Sequence, residues 1–271
     1  MRVALFVPCF MDQLRPRSAR AALELLERLG VEVEFPLAQT CCGQPMANAG
    51  CEREAIAVCR HFAAVFGGYD YVVCPSASCV RHVRHHYDVL EQTAAVRHVR
   101  ERTLELCQFL VEVLRVESLD VEFPHRVGLH HGCHGLRGLR LGRASELGGS
   151  CEGDWAGGAR GTSDGGAHAE PGPTDPGGPA ARLLRMVRGL TLAELDRPDE
   201  CCGFGGTFSV TEDAVSARMG QDRVADHLRH GVEVVASADA SCLMHLEGVI
   251  RRRQLPMRVM HVAEILAGAQ S

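Results

Sequence analysis

The sequence predicts an α/β protein made of two pseudo-duplicated units, each a small parallel sheet flanked by helices. Three observations carry that expectation. Apolar β-branched runs alternate with amphipathic helical stretches, the pattern of parallel strands joined by crossover helices. The triplet Cys41-Cys42-Gly43 recurs as Cys201-Cys202-Gly203, and each copy has one cysteine upstream and one downstream, Cys9 and Cys79, then Cys133 and Cys242. The halves also align elsewhere: residues 72–79, Val-Val-Cys-Pro-Ser-Ala-Ser-Cys, fall against 235–242, Val-Ala-Ser-Ala-Asp-Ala-Ser-Cys. A histidine follows three residues later in both copies, His82 and His245, and an internal duplication explains all of this economically.

Taken in order, residues 2–7 and 31–35 read as strands. The helix between them, over 17–29, carries Ala22, Leu25, Leu26 and Leu29 on one face and ends at Gly30. Near the end of the first unit, 109–114 resembles 261–266 near the end of the second. In the second half 126–130, 190–195 and 231–236 are strand candidates, with a helix over 211–229 before the last. The units are set at 1–122 and 123–271.

Cys42 to Cys79 spans 37 positions and Cys202 to Cys242 spans 40, but Cys9 to Cys41 is 32 where Cys133 to Cys201 is 68. The excess falls at about 148–179, a stretch dominated by Gly, Pro, Ala, Ser and Asp with almost no apolar periodicity. Such a composition cannot bury enough surface to offset its ordering entropy, so it reads as a flexible surface insert. Cys151, Trp155 and His168 lie inside it and are set aside from the chemistry.

At 271 residues the chain has room for one large core or two smaller ones, so neither metal nor disulfides are needed to make up for small size. A net charge of −5 with both signs interspersed offers no basic stripe for nucleic acid. No stretch is long and apolar enough to span a membrane, and the first residues lack a signal-peptide core. The expectation is a cytoplasmic protein. In a reducing compartment, and with an odd total of 13 cysteines, a disulfide framework is a poor account of the thiols.

Eight of the 13 cysteines therefore form two sets of four, Cys9, Cys41, Cys42 and Cys79, and Cys133, Cys201, Cys202 and Cys242. Four thiolates are the ordinary complement of an iron–sulfur cluster. The outer cysteines follow predicted strands, and ligand sites in open parallel sheets lie beyond the carboxyl ends of the strands. Gly43 and Gly203 permit positive φ, so each loop can bend its adjacent sulfurs to one side and offer backbone N–H groups to them. Zinc remains the inorganic rival, although its four-sulfur sites usually draw on Cys-x-x-Cys knuckles and the chain has none. A dithiol redox pair and plain core packing are the other readings. Cys74 could supply an extra sulfur to the first site. Cys51, Cys59 and Cys107 sit in helical patterns and read as core cysteines. His82, His130, His131, His134, His245 and His261 flank the landmarks, but in a chain with 14 histidines a structural hydrogen bond is the ordinary reading for each. No hydrolytic constellation stands out, and no catalytic residue can be assigned.

The motifs Cys41-Cys42-Gly43-Gln44-Pro45, Pro75-Ser76-Ala77-Ser78-Cys79, Cys201-Cys202-Gly203-Phe204-Gly205-Gly206-Thr207-Phe208-Ser209-Val210 and Cys242-Leu243-Met244 resemble the CCG cysteine-rich, iron–sulfur-binding family. The disulfide-cleaving subunit of heterodisulfide reductase belongs to it, as do the iron–sulfur subunits of glycolate oxidase and anaerobic glycerol-3-phosphate dehydrogenase. The likeness is greatest to its lactate-utilization members. The resemblance implies an iron–sulfur electron-transfer subunit of an L-lactate-oxidising system, with one [4Fe–4S] cluster per half on the eight cysteines named above. It implies as partners a ferredoxin-like iron–sulfur protein and a third small subunit. Heterodisulfide reductase relatives use a fifth cysteine per site, where this chain has Ser76 and Asp239, so the resemblance favours four-sulfur cubanes. A heterodisulfide reductase-like or glycolate oxidase-like redox subunit, and a zinc-stabilised binding module, are the alternatives.

Overall fold

The computed structural model describes residues 1–147 and 177–268; the expected insert lies almost wholly outside them, with Cys151, Trp155 and His168. Its last two positions, Gly178 and Pro179, instead open a helix, because Pro is well placed in a first helical turn.

Among the described residues there are two four-stranded sheets, every neighbour pair parallel. The first contains β1 (Val3–Leu5), β2 (Val33–Glu34), β3 (Tyr71–Cys74) and β4 (Thr103–Glu105), in the order β2-β1-β3-β4. The second repeats it with β5 (Arg126–Leu129), β6 (Thr191–Leu192), β7 (Val234–Ser237) and β8 (Arg258–His261), in the order β6-β5-β7-β8. The two-unit α/β expectation holds. The strands are shorter than the apolar runs that predict them, since a residue joins the ladder only where a neighbour lies alongside: edge strands β2 and β6 each pair over two residues.

The helices of the first half are α1 (Cys9–Leu14), α2 (Pro16–Arg28), α3 (Gln44–Asn48), α4 (Glu52–Phe66), α5 (Ala77–His86), α6 (Ala94–Arg102) and α7 (Leu106–Gln108). Those of the second are α8 (Gly178–Leu184), α9 (Phe208–Thr211), α10 (Asp213–Arg229), α11 (Ala240–Arg252) and α12 (Val262–Leu266). In α2, Pro16 starts the helix with its φ already set, and Ser18, Ala21, Ala22, Leu25 and Leu26 form the buried stripe. Gly30, at φ 78°, turns the chain out. The helix expected over 211–229 is α10, which starts two residues later because Glu212, at φ −122° and ψ 48°, separates it from the short α9.

Strand register corrects one internal alignment. Cys74 pairs with Glu105 and Ser237 with His261, so Glu105 is the counterpart of His261. The match of 109–114 with 261–266 is therefore four residues, one helical turn, out of phase; a shift of that size keeps the apolar face and so hides in the periodicity.

One buried apolar cluster runs through both halves, from Val3, Leu5 and Leu25 to Val127, Val234 and Leu266. On its other face each sheet has a cluster of its own. The first holds Phe6, Phe62, Phe66, Cys42 and Cys79; the second holds Cys202, Val224, Val235 and Leu246. Each set of thiols thus sits at the rim of a private core, with the shared core behind both.

Candidate metal centres

Each thiol sits where strand-to-helix geometry places it. Cys9 opens α1 after β1, and Cys79 is the third residue of α5 after β3. Cys133 precedes a helical turn after β5, and Cys242 is the third residue of α11 after β7. The Cys-Cys-Gly loops complete the sets. Gly43 and Gly203, at φ 92° and 88°, adopt the left-handed backbone expected of them. Each donates its N–H to the first cysteine of its pair, Gly43 to Cys41 Sγ and Gly203 to Cys201 Sγ, both at 3.4 Å.

Within each half the sulfurs form a continuous chain. Cys9 and Cys41 Sγ lie 3.5 Å apart, Cys41 meets Cys42, and Cys42 meets Cys79. In the second half Cys133 meets Cys201, Cys201 meets Cys202, and Cys202 meets Cys242. Hydrogen bonds from Cys42 and Cys9, helped by the Gly43 N–H, hold Cys41 down at about 2 against its burial. Bonds from Cys133 and Cys202, with the Gly203 N–H, do the same for Cys201. Hydrogen bonds from Cys42 and then Cys74 lower Cys79 as well, against its burial: a sulfur that accepts from neighbouring donors ionises readily. Cys9 and Cys133, donating to those thiolates, are held up. Closely gathered sulfurs, part of them ionised before any metal arrives, are the donor set that a soft metal or an iron–sulfur cluster requires.

Cys74, fully buried at the end of β3, lies against Cys79, so the first half gathers a fifth sulfur. Its counterpart in the second half is Ser237. Cys59 and Cys107 are core residues as expected, whereas Cys51 is exposed: it precedes α4 on a loop, followed by the exposed Glu52, Arg53 and Glu54.

Both sets open on one cleft of about 560 Å³ between the halves. Cys9, Cys42 and Cys79 line it from one side, and Cys133, Cys201, Cys202 and Cys242 from the other. Phe10 of α1 meets Phe204 of the second Cys-Cys-Gly loop edge-on at 6.0 Å. Arg15, just before α2, pairs with Glu247 of α11. At the cleft floor the halves are joined through Ser76 and Asp239. Ser76 Oγ donates to Asp239 Oδ1 at 3.0 Å, and Ser78 N–H donates to the same oxygen at 3.1 Å. Asp239, buried in the second half, thereby satisfies the amino end of α5 in the first, where a carboxylate also meets the favourable end of the helix dipole. Nothing in the sequence pattern signals this bridge, since the partners are 163 residues apart.

The histidines divide. His82 is buried beside Cys59 Sγ at 4.0 Å, and burial holds it neutral, at about 4. His245 Nε2 reaches the Ser216 carbonyl at 3.2 Å. His261 caps α12 through Nδ1 and meets the Pro75 carbonyl through Nε2 at 3.1 Å, a second tie between the halves. His134 lines the cleft. His130 stands apart, fully buried with neither ring nitrogen partnered among the described residues, held at about 3 by burial and then by the charge of Arg223. A ring nitrogen of His130 and the sulfurs of Cys202 and Cys242 all lie within 4.8 Å of one another.

The CCG cysteine-rich domain family matches residues 3–84 and 175–247; Cys133 falls between the two stretches. A lactate utilization protein A of an Exiguobacterium species is 38% identical over 270 residues, covering 97% of this chain and 96% of that protein. The lactate utilization protein A of Halalkalibacterium halodurans is 37% identical over 271 residues, covering 98% and 96%. A Geobacillus counterpart is 33% identical, covering 98% and 99%. With two Cys-Cys-Gly loops in matching folds and near-complete coverage of these relatives, the chain belongs to the lactate utilization protein A family of CCG cysteine-rich proteins.

Proposed function

We propose that this protein is a cytoplasmic iron–sulfur electron-transfer subunit of a system that oxidises L-lactate to pyruvate, acting with a ferredoxin-like iron–sulfur protein and a third small subunit. One observation carries the reading: two chains of four touching sulfurs, each with a thiolate fixed by a backbone N–H, face each other across one cleft. The relatives' name supplies lactate. Bound iron–sulfur clusters would supply one-electron carriers at the two sites. Cys9, Cys41, Cys42 and Cys79 hold the first and Cys133, Cys201, Cys202 and Cys242 the second, in units spanning 1–122 and 123–271.

The chain's own residues set the conditions for transfer. Gly43 and Gly203 direct N–H groups at the sulfurs, which favours the reduced state. Ser76 and Asp239 lock the halves at the cleft floor and fix the distance between the two sites. The mainly apolar lining excludes water when a partner closes the cleft, and that favours fast, selective electron exchange over side reactions.

Anaerobic preparation with iron, acid-labile sulfide and zinc analysis tests the reading. About four irons per half, with matching sulfide and visible charge-transfer absorption, are expected. Stoichiometric zinc in colourless protein would refute it. Cys74 favours one second reading, a heterodisulfide reductase-like site of five sulfurs in the first half. Turnover of a heterodisulfide, with unimpaired growth on L-lactate after deletion, would establish that instead.

A further inference from the structure

The two halves correspond closely enough around their sites that a departure stands out. Gly43 lies against the Ala55 carbonyl of α4, and Gly203 against the Ser216 carbonyl of α10. His82 rests on Cys59 as His245 rests on Gly220. That phase sets Phe62 against Arg223 and Phe66 against His227, while the strand register of β1 and β5 sets Phe6 against His130. In the first half the three rings pack together, Phe6 to Phe62 at 4.9 Å, Phe6 to Phe66 at 5.6 Å and Phe62 to Phe66 at 4.5 Å. In the second half the same three positions are His130, Arg223 and His227, exposed by 1%, 0% and 0%.

Buried polar groups without partners are strongly unfavourable, so a cluster of them needs a reason. Arg223 is anchored at one end: Nη1 donates to Asp226 at 2.9 Å and to the Arg197 carbonyl at 2.5 Å. Among the described residues, its Nε and Nη2 and all four ring nitrogens of His130 and His227 have no partner. The fold makes room for them, since a Cβ on Gly128 would overlap the His227 ring where the first half has Ala4. The nest lies behind the second set of thiols, and His130 is its member nearest the sulfurs, within 4.8 Å of Cys202 and Cys242 Sγ.

We propose that His130 donates a ring N–H to the Cys202 and Cys242 sulfurs of the loaded second site, making that centre the easier of the two to reduce. The inference rests on the iron–sulfur reading above. A donated N–H beside the sulfurs stabilises added negative charge, and the phenyl rings of the first half offer no such donor. Electrons entering the pair therefore settle on the second half, which gives the two matched sites different roles.

The test is an anaerobic redox titration of the iron-loaded full chain followed by EPR, with Cys242→Ser identifying the second-half signal. Two reduction waves are expected, the second-half centre titrating higher. His130→Phe should weaken its reduction equilibrium at least tenfold, about 59 mV for one electron. His130→Gln, which keeps an N–H, should restore most of it. In the unsubstituted protein labelled with 15N-histidine, pulsed EPR should show an imidazole nitrogen coupled to the second-half signal only. That measurement needs no variant to fold. Two centres titrating together, a fully iron-loaded His130→Phe with both waves unmoved, or no histidine coupling would each overturn the inference. Protein that takes up no iron and sulfide would overturn the cluster reading itself.

Discussion

Replacing Gly203 by alanine separates what the loop demands from what any turn demands. Gly203 sits at φ 88°, and a Cβ there would come within 2.7 Å of both the Ser216 carbonyl oxygen and the Met219 Cβ of α10. Gly30 is the control, at φ 78° with nothing within 4 Å of the added carbon. An L-residue in left-handed backbone costs about 1–2 kcal/mol, so Gly30→Ala should lose about that much. Gly203→Ala adds overpacking against a backbone oxygen that a helix holds in place, typically about 1–3 kcal/mol more. The expected loss is about 2–5 kcal/mol, a large share of a typical total of about 5–15 kcal/mol. Guanidinium unfolding of both variants as metal-free, reduced protein measures it without any contribution from iron. In iron-loaded protein the same variant should lose the second centre and keep the first, because the displaced backbone carries Cys201 and Cys202. Equal destabilisation by the two substitutions would refute the close-approach argument, leaving only a positive-φ turn.

Three further outcomes follow. Cys202→Ser should lose about half the iron and sulfide, since each sulfur chain is confined to its own half; equal loss from both halves would mean one shared cluster across the cleft. Cys74→Ser should keep full iron and an unchanged absorption spectrum if four sulfurs suffice, and loss of first-half iron would show the five-sulfur site. Glu105, wholly buried with Oε1 unpartnered, is raised by burial to about 7 despite the N–H groups of Cys107 and Gln108. The folded chain therefore holds a proton that the unfolded chain releases nearer pH 4.5, so Glu105 erodes stability as pH rises from about 4.5 to 7. At about 1.36 kcal/mol per pH unit, Glu105→Gln should gain about 3 kcal/mol over the parent at pH 8 and little at pH 4. A pH-independent difference between the two in denaturant titrations would overturn that assignment.

The duplication, the α/β class and the eight thiols that gather into two sets are legible in the residues alone, because local signals carry them: a repeated Cys-Cys-Gly, β-branched runs, and a glycine that must turn at positive φ. The misreadings have the same origin. The 109–114 match slips by one helical turn because apolar periodicity repeats every turn, and Cys51 reads as a core cysteine because it borders a helical pattern, although Glu52, Arg53 and Glu54 beside it are charged. What lies across the fold emerges only once the chain is folded. Tertiary packing gives both sites one cleft and puts Ser76 against Asp239 to close its floor. It also places His130, Arg223 and His227 where the first half has Phe6, Phe62 and Phe66. Contacts between residues about 100 or more apart in sequence are fixed by sheet register and helix packing, and no local pattern of residues encodes either.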